Sequence, residues 1–591
     1  MRHQNPKAFS TSHSRGTPFD HYESITGKSP ARSKFNLSHS VITSYNCGKL
    51  VPITVREILP GDSIKMSIEE VTRLVSPLVA PVLGDLHITY DAFFVPNRVA
   101  LNSVVTQLPT ASTVPQAVGI GNIWKQFMGE NMLGTNATDA FVPTVRNLRL
   151  PYFAAPSGEN TQRFVTEGSI LDYCLNLPRN FGFRSNPQTV FCTAAFGYLD
   201  IWNYWYRDQN TMPFKHKLVI QSPVSSSTPS WIVEIGDLST TPQNVYANQV
   251  YWNSDLLPVC KKHDYFTSGL PLSWKPLQSS GSSIILPDWL NGTSTLEGFT
   301  SIPAVASEMV LRNVNAATGQ VGVSSVPVTL PQIIRAAFAL QLYLENNVRF
   351  GSRLSENIYS HFKVRVGEYQ LDYPEFLGSY HTRLGLCQIP QTSSSDAESP
   401  QGNLSAFGMV SDNGFLFDKT FTEHGHLYVL ANVRVRQIYQ QGVEKFYTRG
   451  HSPLDYYSPE FRHLNMQPIR RSEIYSPSVN PAAPPPVDDV FCWSDSWQDY
   501  RAWFSRVTGQ ARSNSGINDG TSLDYWHYGA VFLQAPIYGA GFLVDNTQSL
   551  LDRCLAVTSS VHHQIISEVR FNVEAYRELP MDGTPHLVDH L

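Results

Sequence analysis

Two histidines separated by one residue, His424 and His426, form the spacing in this chain that most invites chemistry. In a strand, residues i and i+2 share a face, and metal-binding jelly rolls of the cupin type use such an HxH together with a nearby carboxylate. Here the next four residues are Leu427, Tyr428, Val429 and Leu430, none of them a ligand, so the pair is read as surface or turn histidines. His562 and His563 are adjacent, would point to opposite faces of a strand and could not chelate together. Two carboxylate pairs, Glu69–Glu70 and Asp488–Asp489, could share acid–base work only inside a pocket. Nothing in the sequence links them to one, and they are expected to be solvated in loops or at strand edges. No GxSxG, HExxH or phosphate-binding loop is present. The seven cysteines are scattered without a CxxC pair, which argues against a disulfide framework or a structural zinc site. The expectation is a protein with no catalytic, cofactor or metal site, made in a reducing cytoplasm with its cysteines as small buried apolar groups.

Composition agrees with a large buried area. Charged residues make up 16% of the 591, below the roughly 25% of an ordinary soluble domain, while aromatics reach 12%. Few charges and many aromatics mean either a very large core or much surface buried against partners. The formal net charge is −5 and no run of five or more like charges occurs, so the chain as a whole is not a basic sleeve for nucleic acid. Its start, MRHQNPKAFS, lacks the apolar stretch of a signal peptide, and no segment approaches the length of a membrane span.

The elements that would position any site are mostly strands. Residues 1–35 are polar, without hydrophobic period, and read as an arm. Alternation then begins with Ile64, Met66 and Ile68, recurs at Ile88, Tyr90, Ala92 and Phe94, and is longest at Leu427, Val429, Ala431, Val433 and Val435. Val569, Phe571, Val573 and Ala575 give another such face. Strands so far apart in sequence that must still pair favour a mainly β fold, a sandwich or jelly roll with elaborated connections. Two helices interrupt them: one opens on the capping pair Thr329 and Gln332, and one runs from Thr193 to Arg207 with Phe196, Leu199, Trp202 and Tyr206 as its stripe. Residues 276–328 form a nearly uncharged insertion rich in Ser, Gly, Thr and Val, and residues 476–487 a proline-rich connector.

Several segments resemble, in the same order, those of the major capsid proteins of gokushoviruses, small single-stranded DNA phages of the microvirus family. They are ARSKFNLSH, LVPITVREILPGD, DLHITYDAFFVPNRV, IWNYWYRDQN, KKHDYFTSGLP, SRLSENIYSHFKV, YPEFLGS, FTEHGHLYVLANVRVRQIYQQGVEKFYTR and DYWHYGAVF. None is a chemical motif by itself; their collinearity from about residue 32 onwards is what is specific. The resemblance implies an eight-stranded antiparallel jelly roll over residues 36–591, with long loop insertions containing short helices. It also implies pentamers that build a 60-subunit T=1 icosahedral capsid, a virion component made and assembled in the bacterial host cytoplasm. Implied partners are an internal scaffolding protein, a small basic DNA-binding protein, a DNA pilot protein, the single-stranded DNA genome and a bacterial surface receptor. The insertion at 276–328 stands where the family carries a protrusion at the threefold axis, although GLPLSWKP replaces a run richer in proline and glutamine at its base.

On that reading the residues expected to face the receptor or the threefold axis are Trp289, Leu290, Phe299, Ile302 and Val310. Those expected to face DNA are Arg2, Lys7 and Arg15 of the arm, and Arg434 and Arg436 on the sheet face opposite the Leu427–Val435 row, with Tyr439 able to stack on bases. The alternative for the basic residues is a solvated or salt-bridged role. The alternative for the whole chain is a β-sandwich that binds or cleaves carbohydrate, which the aromatic content permits but no carboxylate motif supports.

Overall fold

The structure is a computed structural model. It describes residues 32–102, 167–178, 190–221, 255–272, 372–390, 404–462, 466–476, 489–513 and 522–579, together with the short segments 104–107, 117–118, 152–153 and 231–236 and a few single residues.

Alternation of apolar and polar residues produces the strands. They are β1 (Ser33–Asn36), β2 (His39–Tyr45), β3 (Val51–Ile58), β4 (Ser63–Leu74), β5 (Leu86–Pro96), β6 (Glu375–Pro390), β7 (Leu404–Thr420), β8 (Gly425–Val435) and β9 (Ile565–Arg577). In β4 every second residue from Ile64 to Leu74 is buried, and in β9 the buried set is Ile565, Ser567, Val569, Phe571, Val573 and Ala575. Each strand therefore turns one face inward, as the period of two requires.

The pairing is that of a jelly roll. On one side β2 pairs with β9, β9 with β4 and β4 with β7; on the other β3 pairs with β8, β8 with β5 and β5 with β6, all antiparallel. The eight strands β2–β9 thus form two four-stranded sheets, and β1 extends the free edge of β9 beyond β2. The sheets join where β6 and β7 pair at Gly385–Pro390 and Leu404–Met409. Beyond that hairpin the two strands part, and each carries a bulge further along: β6 skips Leu377 against β5, and β7 skips Leu416 against β4. Bulges bend a strand and increase its twist, which lets neighbouring strands peel into different sheets. Met66, Ile68, Ile88, Tyr90, Val429, Val433, Phe571 and Val573 fill the space between the sheets, each 4% exposed or less.

Two connections hold most of the remaining chain, residues 97–374 between β5 and β6 and residues 436–564 between β8 and β9. From the first come α1 (Ile170–Leu175) and α2 (Thr193–Ile201), the latter running on into a π-helical turn at Trp202–Tyr206. The aromatic helix expected at Thr193–Arg207 is there, but not as a one-sided stripe: all nine residues of α2 are buried. It lies on the outer face of the β3–β8–β5–β6 sheet. Tyr428 donates to the Ala194 carbonyl at 2.8 Å, and Tyr198 to the Leu50 carbonyl at 2.8 Å. At Gly197 a Cβ would sit 2.1 Å from the Tyr428 hydroxyl, so helix and sheet meet at a residue without a side chain. Below the helix, Asp91 accepts from Tyr206 at 2.5 Å, Ser379 at 2.6 Å and Asn432 at 3.3 Å. An Asp91→Ala variant strands three donors and is expected to lose about 3–5 kcal/mol in urea unfolding; a loss under 1 kcal/mol would show the three donors find other partners.

The second connection contains an antiparallel pair, Met466–Arg470 with Val490–Asp495, docked on the first connection through Leu270 and Trp493, whose amides and carbonyls bond reciprocally at 2.7 and 2.8 Å. The proline-rich connector expected at 476–487 joins these two strands; apart from Ser476 it lies outside the described residues. So do the insertion at 276–328, residues 1–31 of the expected arm, and the Thr329 helix except for Leu342, which is helical. The last residues of that arm, Ser33–Phe35, belong to β1. Six cysteines are free thiols, five of them buried.

Candidate nucleic-acid interface

Residues directly opposite each other across antiparallel strands project on the same side. On the outer face of the β3–β8–β5–β6 sheet, Arg434 stands opposite His87, and His87 opposite Arg383, a basic row across three strands at the end that α2 leaves uncovered. The segment that follows Leu257 adds Lys262. It is fixed there by the Lys261 amide bonding to the Leu543 carbonyl at 2.9 Å and by Arg434 donating to the Cys260 carbonyl at 2.9 Å. Arg436, just past the end of β8, is exposed.

These charges feel one another. Burial lowers the Lys262 pKa, and Arg434 and Arg383 lower it further. His87 is lowered by burial first, then by Lys262 and Arg383, with Asp85 opposing and Arg436 adding to the drop. Asp85 reaches Arg383 at 3.6 Å, but both are largely exposed and such a pair contributes little. Like charges gathered on one face attract an anion, because a bound phosphate would offset their repulsion.

The row borders a cavity of about 760 Å3 lined by Lys262, Arg436, Arg512, Arg506 and Trp503. Arg506 is paired with Glu444 at 2.7 Å, whereas the Trp503 ring is 97% exposed. Cations tracking a backbone beside an exposed indole are the components of single-strand binding, in which bases stack on aromatic faces.

The structure brings together some of the expected residues and separates others. Arg434 and Arg436 do belong to one basic cluster, with Arg434 half covered by the Cys260 segment. Tyr439 is not available for stacking: its hydroxyl donates to Asp264 at 2.9 Å and its ring packs against Phe266 and Phe542. Arg2, Lys7, Arg15, Trp289, Leu290, Phe299, Ile302 and Val310 lie outside the described residues. Lys262, His87 and Arg383 went unnoticed in the sequence, although KKHD and TRLG carry visible cations; no local pattern announces that three distant strands align them.

The histidine pairs take separate roles. His426 is bonded through Nδ1 to Asn97 at 3.0 Å and lowered in pKa by burial, while His424 packs edge-on against Trp124. His563 bonds Ser44 at 2.9 Å and His562 a backbone carbonyl. Among the described residues no three His, Cys, Asp or Glu side chains gather as metal ligands, and no helix is long and apolar enough to cross a membrane. Of the first carboxylate pair only Glu69 is exposed, bonded by Asn572 at 2.7 Å. Glu70 corrects the expectation of a solvated pair: it is 2% exposed in mid-strand, because it shares the inward parity of Ile64, Met66 and Ile68.

Comparison with known proteins extends over nearly the whole chain. Residues 24–109 and 110–587 match the family model described as capsid protein (F protein). The chain is 29% identical to capsid protein VP1 of Chlamydia phage 1, over 94% of this chain and 96% of that protein. It is 28% identical to capsid protein VP1 of Spiroplasma virus 4, covering 96% and 97%, and of Bdellovibrio phage phiMH2K, covering 94% and 95%. These relatives give no support to the carbohydrate alternative. With a jelly roll whose eight strands pair in capsid order and a family match spanning nearly its full length, the chain belongs to the phage capsid protein (F protein) family and is a structural component of a virion.

Proposed function

We propose that the chain, with no catalysis of its own, assembles through pentamers into a 60-subunit T=1 shell around a single-stranded DNA genome, with the Lys262–Arg434–Arg436 cluster turned toward that DNA. The observation that carries the DNA assignment is the row itself, Arg434, His87 and Arg383 side by side across three strands with Lys262 held next to Arg434. Support for assembly comes from family membership and from the described surface, where Leu533, Leu83, Val561, Ile537 and Leu454 are each at least 67% exposed. Burying such side chains against neighbouring copies is the ordinary way a closed assembly gains its contact area. Because the chain is net acidic, a small basic protein would neutralise most of the packaged DNA, and an internal scaffolding protein would guide assembly, with a pilot protein completing the particle. The insertion at 276–328 is the reading's threefold protrusion, contacting a bacterial surface receptor.

Sedimentation of the purified chain followed by negative-stain imaging tests the first part. Pentamers or closed shells are expected, alone or on co-expression with the scaffolding protein; a monomer under both conditions overturns the assembly reading. For the protrusion, deleting residues 280–324 is expected to abolish adsorption to the host while shells still form. Unchanged adsorption would remove the receptor role and leave only a contact between subunits.

A further inference from the structure

Glu70 is a buried carboxyl that neither shell contact nor DNA binding uses. It sits in the middle of β4, facing the opposite sheet. Its own strand gives it Thr72, whose hydroxyl lies 3.2 Å from Oε2 and 3.0 Å from Ser567 on β9. Tyr45 on β2 bonds the same Ser567 at 3.0 Å. From the other sheet Tyr90 on β5 and Thr382 and Tyr380 on β6 face it, and Asp412 on β7 completes the set at the surface, 3.4 Å from the Thr382 hydroxyl. The groups acting on Glu70 among the described residues are hydroxyls and a second carboxylate; none is a cation. Its Oε1 makes no hydrogen bond.

An ionised carboxylate in such a place lacks both water and a counter-charge, and is costly. A protonated one is neutral and has a proton to donate into a cage of oxygens. We propose that Glu70 is a proton-operated latch inside the barrel: protonated, it lets the two sheets close on each other, and ionised, it loosens them, so that the subunit weakens as pH rises.

The size and sign follow from the same surroundings. Burial raises the Glu70 pKa to about 7 from 4.5, against the Tyr90 and Thr72 hydroxyls, which lower it, and with Asp412 raising it further. Between those two values the folded chain holds a proton that the unfolded chain has released. Stability from this group is therefore complete below about 4.5 and is lost as pH climbs through about 7. A displacement of this size corresponds to about 300-fold in the folded-to-unfolded ratio across the window. Asp412, held below the usual carboxylate range first by Tyr380, stays charged throughout, and the tyrosines, all raised, stay neutral, so none of these neighbours titrates in the same window.

Glu70→Gln keeps the shape and removes the proton. Full-length protein and Glu70→Gln should be unfolded in urea from pH 4.5 to 8, with the carboxyl stretch followed by infrared spectroscopy. The expected result is a wild-type folding constant that falls by up to about 300-fold more than that of the variant, with a protonated-carboxyl band that disappears near pH 7 only in the wild type. Parallel curves and no such band overturn the proposal. Should Glu70→Gln not fold, Glu70→Leu serves instead, since it too removes the titrating proton; a pH dependence of stability equal to that of the wild type is equally fatal. Neither readout depends on what the shell encloses.

Discussion

Gly378→Val is expected to keep the chain from reaching a soluble folded state at 37 °C, with a destabilisation on the order of 3 kcal/mol or more wherever it can be measured. Gly378 follows the bulge in β6 and lies across from Leu416, the bulged residue of β7. A Cβ there would sit 2.2 Å from the Leu416 carbonyl oxygen, a backbone atom that cannot swing aside as a side chain can. Both strands are fixed on their far sides, β6 by β5 and β7 by β4, so relief requires one sheet to shift against the other. Gly385→Ala is the matched control: it lies on the same strand, where an added Cβ meets only the Met409 carbonyl at 3.7 Å. Soluble yield and urea midpoint should collapse for the first and barely move for the second. Equal behaviour would mean that the two bulged strands can tolerate a side chain at their closest backbone approach.

Reversing two charges of the basic row, Lys262→Glu with Arg436→Glu, is expected to spare assembly and remove DNA. Both side chains are exposed, so the fold should not suffer. Each contact with a phosphate of single-stranded DNA contributes about 0.7 to the slope of log affinity against log salt, so losing two should flatten that slope by about 1.4. Affinity at low salt should fall at least tenfold, and more through the repulsion introduced. The control is Arg73→Glu with Arg570→Glu, two exposed cations on the outer face of the other sheet. If both pairs lower affinity alike, the protein binds DNA by diffuse charge and the row is no site. If only the first pair acts, particles assembled from it should sediment as empty shells.

Much of this protein is legible in its residues. The period of two in β4, β8 and β9 gives strands and their inward faces, because burial on one side of a pleated chain demands that spacing. The distance between such strands means that local hairpins cannot account for them all and favours a sandwich or jelly roll with elaborated connections, and the collinear segments supply the family. Five of the six described cysteines are buried, as small apolar groups would be, and Cys260 is partly buried. Even Glu70 was within reach, since continuing the count 64, 66, 68 places it inside; it was missed because a carboxylate is expected at the surface unless something argues otherwise.

Other features have no local signature. The all-round burial of α2 reflects what packs on each side of it, which its own stripe of aromatics cannot reveal. Tyr439 reads as a free aromatic beside arginines, yet Asp264, Phe266 and Phe542 enclose it from segments far away in the chain. The basic row exists only because antiparallel register sets residues 434, 87 and 383 side by side and a bond from the Arg434 side chain to the Cys260 carbonyl holds residue 262 near them. Sequence fixes which face of a strand a residue takes, since that depends on the residue's own neighbours; which charges meet on that face depends on register between strands hundreds of residues apart, and only the folded chain decides it.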